Sequence, residues 1–156
     1  MLDFDLKSEF QTIQRRSFEL ATPAILNPNN ANPIVMGEFL QLDTAYKMAR
    51  GSADGLLPAF CYFAEQGRYE TQAIQKGPFL YLGAYEADTK IMDTTLEATI
   101  TAVGQALMVN DVSIGGVNKR GLSALPASPA GTEYVVGFVT RLPANNNGYL
   151  RFIRTL

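Results

Sequence analysis

The chain has 156 residues, 47% of them apolar and 18% charged, with a formal net charge of -2 at pH 7. That size and composition suit one folded domain with a substantial core and exclude a disordered chain, while the thin supply of charge points to a surface partly covered by a partner. Lys and Arg cluster no further than Arg15-Arg16 and Lys119-Arg120, which leaves no basic footprint for nucleic acid, and the lack of histidine removes imidazole ligands and His-activated nucleophiles.

In chain order, Leu2, Phe4 and Leu6 alternate with Asp3, Asp5 and Lys7, the period of a short strand that needs a sheet to join. These residues lack the basic start and apolar middle of a signal peptide, and no apolar run approaches the ~20 residues that span a bilayer. Synthesis in the cytosol and no membrane partner are expected. Ser8 and Gln11 have capping-box spacing, which predicts a short helix over 9–16 before Phe18 and Leu20 resume strand-like alternation. Ala21 to Pro33 carries Pro23, Pro28 and Pro33 among asparagines, so it reads as an extended strap: each proline lacks a donor and pushes its predecessor toward extended geometry. Residues 1–32 are accordingly expected to form an extended N-terminal arm, and residues 33–156 an all-β body.

Within the body, Ile34, Met36, Leu40 and Leu42 share one face of a strand over 34–42, with Glu38 an exception, while Val35 and Phe39 occupy the other. A strand over 46–50 is expected to pair, across Gly51 to Gly55, with one ending at Phe63. Phe60 to Glu65 and Arg68 to Ile74 flank Gln66-Gly67 as a hairpin, and Phe79 to Tyr85 is apolar on both faces, the mark of a central strand beginning near Lys76-Gly-Pro78. Between Leu96 and Val109 the β-branched residues favour strands over a helix. After a turn at Gly115-Gly116, Glu133 to Leu142 and Tyr149 to Arg154 form a last hairpin across Pro143 to Gly148.

Little in the body carries chemistry. Cys61, the single cysteine, lies in Pro58 to Phe63 and reads as a small buried hydrophobe. Gly115 to Gly121 lacks phosphate-loop spacing and a following helix, so it reads as a turn, and Ser113 or Ser123 near Lys119 is a chance Ser-Lys pairing. Glu86, Asp88, Asp93 and Glu97 form the one dense acidic stretch; Glu86 and Asp88 would share a strand face if the strand continues, but the stretch reads as a solvated turn rather than a Ca²⁺ or acid-base site. Tyr62, Tyr69, Tyr81, Tyr85 and Tyr149 read as core and interface aromatics. A trimeric dUTP-hydrolysing enzyme would suit the length and an all-β body, yet Gly148 to Leu156 lacks the C-terminal glycine-rich motif. No enzymatic activity, cofactor or metal is expected.

Three passages together resemble the decoration, or cement, proteins of tailed-bacteriophage capsids: Phe63 to Ala73 with Gly67-Arg68 at its turn; Tyr85 to Thr89 with Met92-Asp93; and Gly121-Leu122, Val135 to Thr140 and Gly148 to Phe152. The likeness covers residues 34–156 and is one of pattern and order. It implies a small β-barrel or β-tulip-like body, a homotrimer, and a place on the outer capsid surface of the virion, bound to the major capsid protein. The arm would then make the contact through Leu2, Phe4, Leu6, Phe10, Ile13, Phe18, Leu20, Ile25 and Leu26, because a detached strand can complete a sheet edge on another chain. A chain beginning at Pro33 should on this view still fold but bind shells weakly. A tail-tube or baseplate subunit and a small-ligand-binding β-barrel are the alternatives.

Overall fold

A computed structural model of the protein describes residues 4–9, 13–51, 57–65, 75–93, 102–125 and 133–154. Its strands in chain order are β1 (Phe4–Glu9), β2 (Gln14–Glu19), β3 (Phe39–Leu42), β4 (Met48–Ala49), β5 (Ala59–Tyr62), β6 (Lys76–Leu82), β7 (Tyr85–Thr89), β8 (Ala106–Ile114), β9 (Val117–Ala124), β10 (Val135–Arg141) and β11 (Leu150–Arg154). They form two antiparallel sheets, a six-stranded one ordered β1-β7-β11-β10-β8-β9 and a five-stranded one ordered β2-β6-β5-β3-β4. The all-β class holds, but no closed barrel forms. The five-stranded sheet brings its edges together only at the Leu20–Met48 bridge, where the Ala21 amide donates to the Met48 carbonyl at 2.9 Å.

Period-two alternation explains why the five-stranded sheet serves two cores at once. Phe39, Ala59, Cys61 and Leu80 point to one face and join Phe4, Tyr85, Leu107, Leu122, Val136 and Phe152 of the six-stranded sheet in the core between the sheets. Their chain neighbours Leu40, Phe60, Tyr62 and Phe79 point the other way and pack with Phe18, Leu20, Ile25, Leu26 and Ile34. The rings of this second core meet at centroid distances of 5.7 Å for stacked Phe18 and Phe60 and 5.5 Å for edge-on Tyr62 and Phe79.

Residues 4–9 and 13–32 are therefore part of the body and not an arm held away from it. Strand β1 is an edge of one sheet and β2 an edge of the other, and the strap between Leu20 and Ile34 lies over the second core. The strap is not extended throughout: Pro23–Leu26 turns as a 3-10 helix, which places Ile25 and Leu26 inward. Proline at its start loses nothing, because a helix's first N–H groups have no intrahelical partner. The helix expected over 9–16 is also corrected. Gln14–Glu19 is strand, drawn into register with β6 from Arg15–Leu80 to Glu19–Lys76, and tertiary pairing overrides a local cap signal.

Other boundaries shift for identifiable reasons. The strand expected over 34–42 forms only at 39–42, after Gly37 at φ +98°, where Phe4 packs so closely that a Cβ would come within 2.6 Å of its own. Strand β4 pairs with β3 across an Asp43 turn, not with the strand ending near Phe63. Phe79 to Tyr85 is split at Gly83, φ +114°, so that β6 and β7 enter different sheets. The last hairpin is as expected, with β10 and β11 antiparallel, and so is the turn at Gly115-Gly116 between β8 and β9. The Gln66-Gly67 hairpin turn and the residues from Leu96 to Thr101 lie outside the described residues.

Candidate contact face and polar cleft

The side chains expected to reach a partner are instead inside this chain. Phe4 and Ile13 belong to the core between the sheets, Leu6 packs against it half-buried, and Phe18, Leu20, Ile25 and Leu26 belong to the second core. Leu2 and Phe10 lie outside the described residues. Buried side chains offer no area to a second molecule, so the arm assignment is corrected.

The strap is fastened by a buried polar network centred on Glu38, which is 0% exposed. Its Oε1 accepts from Arg50 Nε at 3.0 Å and the Arg120 amide at 3.1 Å, and its Oε2 from Arg50 Nη2 and the Val35 amide, both at 2.9 Å. Arg50 Nη1 reaches the Asn32 carbonyl at 2.6 Å, Asn32 Nδ2 donates to the Asn118 carbonyl at 2.8 Å, and Lys119 Nζ donates to the Pro33 carbonyl. Burial pushes the Lys119 ammonium pKa down, and the register sets Lys119 opposite Val112, with Ser113 opposite Asn118 and Ser123 opposite Met108. Cys61 is fully buried, and desolvation raises its thiol pKa, as suits a small hydrophobe.

The outward face of the six-stranded sheet differs from every other sheet face described. Its β8–β10–β11 part is apolar yet open: Val135 is 40% and Phe138 37% exposed, opposite Met108, Ala106 and Ile153 in the register. Cross-strand partners share a face, so these five side chains form one strip.

The β1–β7–β11 part of the same face is polar and concave. A cleft of about 440 Å³ is lined by Asp5, Lys7, Asp88, Asn146, Asn147, Tyr149 and Arg151. Asp88 stands directly opposite Asp5 on one side and Arg151 on the other. Its Oδ1 accepts from Arg151 Nε at 2.7 Å and Asn146 Nδ2 at 3.0 Å, and its Oδ2 from Arg151 Nη2 at 3.0 Å. Lys7 Nζ sits 2.5 Å from Asp5 Oδ2 and 3.8 Å from Asp88 Oδ2. Burial alone would raise the Asp88 carboxyl, but the hydrogen bonds from Arg151 and Asn146 and the nearby cations hold it below its usual range. The loop that supplies Asn146 reverses through positive φ at Asn147 (54°) and Gly148 (82°).

Comparison with known proteins finds no matching family model, no similar curated protein and no similar solved structure.

Sequence reasoning placed Glu86 and Asp88 on one strand face, and β7 does so; it took them for a solvated turn, which the buried Asp88 is not. It did not pick out Lys7, Asn146 or Arg151. Alternation did put Asp5 and Lys7 on one face, but which strands flank β7 depends on sheet order, and that has no local signal.

Proposed function

We propose that this is a non-enzymatic structural protein that sits, as a homotrimer, on the outer surface of a tailed-phage capsid. In this reading it stabilises the shell by bridging copies of the major capsid protein. The observation that supports it is the open apolar strip of Val135, Phe138, Met108, Ala106 and Ile153 on the six-stranded sheet, in a chain whose other sheet is covered on both faces. Contiguous exposed apolar area on a soluble domain marks a contact surface. The strip seats on a capsid subunit, and three copies joined in one trimer add avidity to contacts that are individually small. Binding only the expanded shell stabilises that state by mass action.

The test is co-sedimentation with expanded and unexpanded shells of the source phage. Wild-type protein is expected to pellet with expanded shells, and the Val135→Asp/Phe138→Asp variant to stay in the supernatant with its thermal midpoint unchanged. Native mass spectrometry should give three chains for both proteins. Equal shell binding by the variant would remove the strip from the contact, and a wild-type protein that never pellets would remove the capsid reading.

A further inference from the structure

We propose that the polar cleft over β1, β7 and β11 is a binding site for a neutral, hydroxyl-rich ligand, a hexose unit of a glycan. It is independent of the capsid reading, because it rests on a different part of the sheet and is tested on the protein alone.

The charge of the lining decides the class of ligand. Lys7 and Arg151 are each paired within the cleft with Asp5 and Asp88, so two cations meet two anions at 2.5 to 3.0 Å. An anionic ligand would have to displace Asp5 or Asp88 from its partner, and a cationic one Lys7 or Arg151. An apolar ligand would strip water from a lining with one aromatic ring among seven residues. What remains is a neutral molecule able to donate and accept at closely spaced points. Each sugar hydroxyl does both, and two neighbouring hydroxyls span the edge of a planar carboxylate, amide or guanidinium.

The groups open to a sugar are the Asp5 carboxylate, the Lys7 ammonium and the Asn147 amide, all exposed, while Asp88 and Arg151 occupy one another's edges and hold the site in place. Asp88 is fixed by three hydrogen bonds, and Asn146 Nδ2 is shared between Asp88 Oδ1 and the Tyr149 carbonyl at 3.1 Å. A site whose side chains are already ordered loses little entropy on binding. The Asn147 amide is exposed at the rim, and about 440 Å³ lies within the range of small-molecule sites and has room for a hexose.

The experiment is a two-dimensional amide NMR titration with methyl α-D-glucoside, methyl α-D-mannoside, methyl β-D-galactoside and N-acetylglucosamine, with inorganic phosphate as the charged control. At least one sugar should give saturable shifts confined to Asp5, Lys7, Asp88 and residues 146–151, with Kd on the order of millimolar, as suits a ligand of a dozen heavy atoms. Lys7→Ala and Asn147→Gly should each weaken it about tenfold, their spectra otherwise remaining those of the folded protein; glycine tolerates the positive φ at position 147. No saturable shift with any of the four sugars overturns the proposal. So do equal affinities in both variants, or a stronger response to phosphate at the same residues.

Discussion

At the scale of single residues, Glu38 is the side chain whose environment departs most from what its neighbours in sequence suggest. It stands as an exception in an apolar stretch, and its carboxylate proves to be the fully buried acceptor that ties Arg50, the Val35 amide and the Arg120 amide together. Glu38→Ala should cost on the order of 3 kcal/mol in urea unfolding, because the half-buried Arg50 guanidinium, 19% exposed, and the Val35 and Arg120 amides all lose their acceptor. Replacing both partners, Glu38→Leu with Arg50→Met, should recover the share due to the unpaired guanidinium but not the share due to the Val35 and Arg120 amides, which lose their acceptor either way; a double variant no more stable than Glu38→Ala would mean the two do not act as a pair. Asp88 makes a pH-dependent contribution of definite sign. Its folded pKa lies below the unfolded one, so its stabilisation is complete above about pH 4 and drains away as pH falls through the lower folded value. Thermal unfolding followed from pH 5 to pH 2 should therefore fall less steeply for Asp88→Asn than for wild type.

At the scale of elements, the N-terminal segments carry the clearest lesson. Alternation in Leu2 to Leu6 announced a strand in want of a sheet, and β1 runs from Phe4 with Leu2 outside the described residues; prolines and asparagines announced an extended strap, which turns instead at Pro23–Leu26. What alternation cannot say is which sheet accepts the strand, so nothing local distinguished an arm reaching to another chain from an edge strand at home. Residue spacing did expose the double-sided strands, since Phe79-Leu80 and Phe39-Leu40 are apolar at consecutive positions and serve the two cores in turn. The break at Gly83 and the pairing of Asp88 with Arg151 were not legible, because both are set by sheet order. Deleting residues 1–32 should therefore do more than weaken binding. Without β1, β2 and the strap, both cores lose a wall, and the shortened chain should unfold without a cooperative transition by circular dichroism or fail to remain soluble. A shortened chain with the wild-type thermal midpoint would restore the arm.

At the scale of the whole molecule, the two sheets have unequal lots: one is enclosed on both faces, and the other turns outward a surface that is apolar at one end and a charge-balanced cleft at the other. The contact proposed for the first and the sugar site proposed for the second meet on β11, where Ile153 belongs to the strip and Arg151 to the cleft, and their middle strands β10 and β7 lie two strands apart, on the order of 10 Å at usual strand spacing. The position of β1 and β2 also bears on the order in which the chain can assemble. Both precede their sheet neighbours in the chain: β2 has no such partner until β6 is made, and β1 none until β7 follows. Strand β7 in turn waits for β11 before its sheet is continuous. Ring closures of that length are slow, and in the meantime β1 and β2 carry Phe4 and Phe18 uncovered. Strands β1 and β2 thus stay unpaired until β7 and β6 are made, and the sheet that bears both proposed surfaces becomes continuous only once β11 has joined β7 and β10.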